Sequence, residues 1–167
     1  MWLESAIKII ILCLSCAFAM QSGSPKIEGE ACLAMMPNHH VDPQSIASPY
    51  QVIVSSTSVH QGEILKIVIT DPIAKTAFKG FAIQGRDVNN YNKTIGSFLK
   101  GPEIKVVECK WKASAVTNCS AKSKTRMEIE WKAPLDFIGD IQFYATLIKD
   151  FVTIWIDVKS ELVTITE

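Results

Sequence analysis

From residue 50 onward, apolar and polar side chains alternate along the chain with a period of two. In Arg126-Met127-Glu128-Ile129-Glu130-Trp131 the apolar residues fall on one face and the charges on the other, the signature of a half-buried strand. The stretch 141–147 repeats this less strictly; Leu65, Ile67 and Ile69 share a face, as do Tyr50, Val52 and Val54. Further strands are predicted over 78–84, 94–98, 104–109 and 151–159. Turn chemistry separates them at Gly62, Asp71-Pro72, Gly85, Gly101-Pro102, Ala133-Pro134 and Gly139-Asp140. Short strands joined by short turns predict an antiparallel β-sandwich, since a parallel sheet would need crossover helices for which the connections leave no room. The segment 24–48, rich in proline and polar residues, is predicted to wrap the sandwich without being a strand. There is no amphipathic helical repeat of useful length.

The first residues read differently. Met1 to Ala19 carries Lys8, then an apolar run, then Ala17-Phe18-Ala19, the small-x-small pattern at which signal peptidase cuts. The run is too short for a bilayer span and polar residues follow at once. The expectation is a signal peptide over 1–19 and a single exported domain over 20–167, secreted and without a membrane span. Composition agrees with an ordinary domain. The chain has 167 residues and 48% hydrophobic content, with 17 Lys+Arg against 17 Asp+Glu. Zero net charge argues against a general nucleic-acid binder, which carries a basic excess.

Export changes the meaning of the cysteines. Cys13 and Cys16 leave with the signal, so three remain: Cys32, Cys109 and Cys119. In an oxidising compartment two should pair and one is left over, and spacing does not select the pair. Two sequons also gain meaning, at Asn92-Lys93-Thr94 and Asn118-Cys119-Ser120. Asn92 lies in a polar, turn-rich stretch and is the better acceptor; Asn118 is blocked if Cys119 is buried or bridged.

Candidate chemistry is sparse. His39-His40 with Asp42 lacks metal-ligand spacing, because adjacent residues in an extended segment point opposite ways. No nucleophile elbow or phosphate loop is present, and Asp136 and Asp140 read as turn residues. No catalytic residue, cofactor or metal is expected. Charge is unevenly spread, with a basic excess over 100–132 and an acidic excess over 133–167. Lys110-Trp111-Lys112 places an aromatic between cations, a composition suited to anionic glycans or phosphorylated headgroups; the plainer reading is a set of lysines on solvated strand faces.

Several ordered fragments carry a resemblance. They are Cys32 with Met36-Pro37-x-His39-His40, Pro43-Gln44, Ser48-Pro49-Tyr50 and Gly62-Glu63, then the run Phe78-Lys79-Gly80-Phe81-Ala82-Ile83-Gln84-Gly85-Arg86 and Ile95-Gly96-Ser97-Phe98. Cys109, Ala115-Val116-Thr117, Trp131-x-Ala133-Pro134, Phe143-x-Ala145-Thr146 and Trp155 follow. Together they resemble a reeler (reelin-type) domain, and within it the small secreted insect proteins named as defence proteins, the noduler-like group. The resemblance implies an immunoglobulin-like sandwich and a Cys32–Cys109 bridge. It also implies a role in innate immunity of the haemolymph, binding bacterial lipopolysaccharide or lipoteichoic acid, or a haemocyte surface. The residues expected to meet such polymers are Lys110, Lys112, Lys122, Lys124 and Arg126. Where the family has Thr-His, this chain has Thr117-Asn118-Cys119, which makes Cys119 the odd cysteine and a disulfide-linked dimer through it an expectation. The rival reading is an extracellular adhesion module for host glycans or proteins. A reductase reading is set aside, since reeler-containing ferric reductases place their redox chemistry in haem-bearing membrane domains.

Overall fold

The structure is a computed structural model and describes residues 30–37, 41–109 and 111–167. The expected signal peptide, His39, His40 and Lys110 lie outside the described residues. The described chain runs α1 (Glu30–Ala34), β1 (Gln51–Val54), β2 (Ser58–His60), β3 (Ile64–Thr70), β4 (Gly80–Asp87), β5 (Asn90–Thr94) and β6 (Ser97–Phe98). It continues through β7 (Ile104–Cys109), β8 (Trp111–Asn118), β9 (Arg126–Lys132), β10 (Gly139–Asp150) and β11 (Thr153–Thr166).

Two sheets result. One has the order β1-β3-β9-β6; the other has β2-β11-β10-β4-β8-β7, with β5 added to β4. All pairs are antiparallel except β2 with β11, a parallel pairing that the sandwich reading did not contain. The alternation seen in the sequence fixes which face each strand turns inward. On β9, Met127, Ile129 and Trp131 are buried while Arg126, Glu128, Glu130 and Lys132 face solvent. β10 and β4 send Ile141, Phe143, Ala145 and Leu147, with Phe81 and Ile83, into the same core. Trp131 stacks edge-on against Phe143 at 5.3 Å between ring centroids and donates its indole N–H to the Ile95 carbonyl at 3.0 Å. A buried indole thus has its one donor satisfied.

Three departures from the sequence reading have physical causes. The strand expected over 94–98 is two strands in different sheets, because Gly96 turns the chain at φ +70° between β5 and β6. The segment after Cys109 is a full strand, β8, whose polar residues Ser114, Thr117 and Asn118 are buried, so no alternation marks it. Each is satisfied locally: Ser114 Oγ bonds both N and O of Cys109, Thr117 Oγ1 donates to the Phe81 carbonyl, and Asn118 Oδ1 accepts from the Phe81 N–H. Among its described residues the wrap contains one short helix, α1, where no regular element was expected.

Candidate binding surface

The wrap is fastened before any surface can be presented. Cys32 and Cys109 form a disulfide with their Cα atoms 5.5 Å apart, closing a separation of 77 residues. In the chain-entropy account a loop of that size is worth up to about 4.5 kcal/mol. Both cysteines are buried with Ala115 in a small second core. Around the bridge, side chains from the outward face of the larger sheet hold the wrap by its backbone. Gln84 Nε2 donates to the Cys32 carbonyl at 3.0 Å, Arg86 Nη2 to Leu33 at 2.6 Å, and Thr146 Oγ1 to Met35 at 2.6 Å.

Arg86 is the unusual member, a fully buried guanidinium. Its Nε and Nη2 both donate to Gln84 Oε1, at 3.0 and 2.7 Å. The Tyr91 ring lies 4.1 Å and the Tyr144 ring 5.7 Å from its central carbon. Burial lowers its pKa, while Tyr91, Asp157 and Tyr144 act in the opposite sense; an arginine stays charged regardless. Tyr91 donates to Asp157 Oδ1 at 2.8 Å, and burial, with that hydrogen bond next, pushes its hydroxyl up to about 12. Within this cluster the Arg86 head is committed to Gln84 and to the wrap's backbone, and the Tyr91 hydroxyl to Asp157. Its chemistry is to anchor.

The four expected ligand contacts that lie among the described residues, Lys112, Lys122, Lys124 and Arg126, do not form one patch. Lys112 is exposed near the start of β8, whereas Lys122 is exposed in the connection beyond its far end. Six residues of strand separate Lys112 from Asn118, about 20 Å. Arg126 is exposed on the other sheet and pairs with Glu128 at 2.8 Å. Lys124 is only 7% exposed. Its ammonium donates to the carbonyls of Ser120 and Lys122, both at 2.6 Å, and of Lys79 at 3.3 Å. Burial lowers its pKa, partly offset by Glu103. Lys124 is therefore a clasp that closes the β8–β9 connection onto the start of β4, and its charge is not offered to a ligand.

The modification sites also separate. Asn92 is exposed on β5. Asn118 is buried, and besides accepting from Phe81 it donates Nδ2 to the Ser120 carbonyl at 2.8 Å. Cys119, half-buried just beyond β8, donates its backbone N–H to the Glu103 carbonyl at 3.0 Å. Among the described residues no group of three or more His, Cys, Asp or Glu is placed to hold a metal ion, and no helix is long and apolar enough to cross a membrane.

Comparison with known proteins places this architecture. "Putative defense protein 3" of Antheraea mylitta is 28% identical over 157 residues, 93% of each chain. A "Putative ferric-chelate reductase 1 homolog" of Drosophila melanogaster is 32% identical over 153 residues, 88% of this chain but only 23% of that protein, so most of the reductase homologue lies outside the match. Among solved structures, the human F-spondin reeler domain superposes with a TM-score of 0.63 at 15% identity, over 75% of this chain and 94% of that one. At that identity the likeness speaks for the fold. The Reeler domain model matches residues 30–167, and the chain belongs to the Reeler domain family.

Proposed function

We propose that this protein is a secreted defence protein of the haemolymph that holds microbial surface polymers, lipopolysaccharide or lipoteichoic acid, by charge and shape and performs no bond-making chemistry. The observation that carries this reading is the match to a named defence protein over nearly the whole of both chains. A disulfide-pinned sandwich supplies a rigid platform, and Lys112 and Lys122 supply exposed cations, with Lys110 as a further contact and Arg126 as a weaker one because it shares its charge with Glu128. Lys124 drops out of the set because its ammonium is spent on three carbonyls. Phosphate-bearing polymers attract such cations over a range set by ionic strength.

The test is retention on particles coated with lipopolysaccharide or lipoteichoic acid, against heparan-type glycans and bare particles, over a salt series. Retention on the bacterial polymers that weakens with salt, and weakens again in the combined Lys112→Glu, Lys122→Glu, Arg126→Glu variant, is the expected result. Preference for the host glycan would replace this reading with that of an extracellular adhesion module, and equal retention on bare particles would end both.

A further inference from the structure

The chain has three tyrosines, and the fold treats them differently. Tyr50 is 2% and Tyr144 9% exposed, whereas Tyr91 on β5 is 41% exposed. The hydroxyls differ as well. Tyr50 donates to a neutral acceptor, the Ala77 carbonyl, at 2.9 Å; Tyr91 donates to a carboxylate, Asp157 Oδ1, at 2.8 Å, and that bond lies at the surface. Asp157 reaches it from an irregular point of β11. The strand carries an extra residue against β10 between the Ala145–Val158 and Leu147–Trp155 pairs, and there Asp157 takes a left-handed φ of +55°. Aspartate tolerates that backbone when its side chain bonds locally; here the carboxylate reaches across to β5 instead.

The ring itself is held by its neighbours. The Arg86 guanidinium carbon lies 4.1 Å from the Tyr91 ring centroid, and the Tyr144 ring stands perpendicular to it at 5.0 Å. A cation against the ring constrains how the ring can be oxidised. Removing an electron alone would leave a positively charged ring beside the guanidinium, and like charges that close repel. Ionising the hydroxyl ahead of the electron is also disfavoured, since burial, with the bond to Asp157 next, pushes it up to about 12. Losing the electron and the proton together avoids both penalties. The proton moves along the existing hydrogen bond to Asp157, and the neutral phenoxyl radical that remains carries no charge for Arg86 to oppose.

We infer that Tyr91 is an oxidative cross-linking site: Asp157 takes its phenolic proton as a haem peroxidase takes its electron, and the radicals of two copies of the chain join. The step balances. Each Tyr91 gives one electron to a peroxidase haem charged by hydrogen peroxide and one proton to Asp157, which passes it to solvent. Two phenoxyl radicals then form a carbon–carbon bond between the ring positions beside their hydroxyls. The hydrogen at each joined carbon leaves as a proton and each oxygen regains one, so two tyrosines and one hydrogen peroxide give one dityrosine and two waters. Tyr50 and Tyr144 are too buried to meet a second molecule in this way. The site is distinct from Lys112 and Lys122 and does not depend on the polymer reading.

The experiment treats the full chain, exported by a secretory host and freed of N-glycan, with hydrogen peroxide and a haem peroxidase. The expected product is a dimer that survives boiling and thiol reductant, shows dityrosine fluorescence, and yields a peptide joining Tyr91 of one copy to Tyr91 of another. Tyr91→Phe should remove the dimer, with a melting curve confirming that it is folded. Asp157→Asn keeps the shape of the side chain but offers no base, and should slow dimer formation by about tenfold or more. The ratio of wild-type to Asp157→Asn rates should narrow as pH rises, because hydroxide then replaces the missing base; a purely structural role would leave that ratio constant. Absence of a dimer, an equal dimer from Tyr91→Phe, or fluorescence confined to monomers, which would join Tyr91 to Tyr144, overturns the inference. So does an Asp157→Asn variant as fast as wild type, or a ratio that pH does not move. Failure here with polymer retention intact would leave the proposed function standing.

Discussion

Replacing Arg86 with methionine isolates what the buried guanidinium does, because methionine keeps an unbranched apolar stem and removes only the head. The head donates twice to Gln84 Oε1 and once to the Leu33 carbonyl, and hydrogen bonds to a charged partner are worth roughly 1.5–3 kcal/mol each. Its position over the Tyr91 ring adds about 1 kcal/mol. Against these stands the cost of keeping a cation out of water, several kcal/mol. Methionine removes that cost but strands Gln84 Oε1 and the Leu33 carbonyl, at about 1–3 kcal/mol for each buried unsatisfied group. The lost bonds and the stranded partners are one loss counted from two sides, so the stranded pair sets it at about 2–6 kcal/mol; relief of the buried charge, whose Nη1 has no hydrogen-bond partner, offsets part of that and leaves about 2–4 kcal/mol, large beside the ~5–15 kcal/mol that holds an ordinary domain together. At roughly 2–4 °C per kcal/mol for a domain of this size, Tm should fall by about 5–15 °C. Circular dichroism melts measure it, and limited proteolysis localises it. The Cys32–Cys109 bridge still tethers α1 in the variant, so cleavage should quicken in the wrap before the sheets open. A variant that melts within about 2 °C of wild type, with its wrap cleaved no faster, would show that desolvation cancels the guanidinium's contacts and refute the anchoring argument.

Gly96→Ala should destabilise strongly. An added Cβ would meet the Trp131 ring at 2.2 Å and the Lys132 carbonyl at 2.6 Å at a φ of +70°, and the left-handed backbone costs about 1–2 kcal/mol with about 1–3 kcal/mol more for overpacking; a denaturant midpoint equal to wild type would contradict the close approach. Stability should fall as pH rises from 10 to about 12, because Tyr50 is pushed from 10.0 up to about 12 by burial, with Asp71 and Asp150 adding to it. The unfolded chain then loses its proton first, so the stabilisation is complete below pH 10 and disappears through the folded value. Tyr50→Phe should melt lower at neutral pH, having lost its bond to Ala77, yet show a shallower alkaline decline; an unchanged slope would remove Tyr50 as the cause. On expression through a secretory pathway, Asn92→Gln should abolish the mass lost on glycosidase treatment, and Asn118→Gln should leave that mass and lower Tm. A glycan found on Asn118 of folded protein would contradict its burial.

The sandwich was legible because alternation records burial directly wherever one face is wet. Met127, Ile129 and Trp131 against Glu128 and Glu130 are the clearest instance. It failed where both faces are covered. β8 has the outer wrap on one side and the core on the other, so Ser114, Thr117 and Asn118 sit inside on hydrogen bonds that a one-dimensional pattern does not display. Lys124 misled for a related reason. A lysine among lysines reads as a solvated cation, yet three carbonyls gathered by the β8–β9 turn and the start of β4 capture its ammonium. Only the fold brings those carbonyls together. Arg86 sat in plain view in a strand, but its charge reads as surface until the wrap is laid over it. The Cys32–Cys109 pair, by contrast, followed from family likeness and is present.

The way the wrap is held decides which surfaces remain for partners. Gln84, Arg86 and Thr146 read carbonyl oxygens of Cys32, Leu33 and Met35, groups every residue possesses. The position of the wrap is thereby fixed while its side chains are left free to vary. That covers much of the outward face of the larger sheet. The outer face of the smaller sheet is open, but it compensates its own charge: Lys66 lies opposite Glu130 in register, and Arg126 pairs with Glu128 at 2.8 Å. Exposed pairs of this kind contribute about 0–1 kcal/mol to stability, and they also cancel the field a polyanion would sense at a distance. One sheet face is thus partly covered and the other partly neutralised. Recognition driven by charge is left to cations that neither the wrap covers nor a neighbouring carboxylate pairs, of which Lys112 and Lys122 are the exposed instances in the expected set.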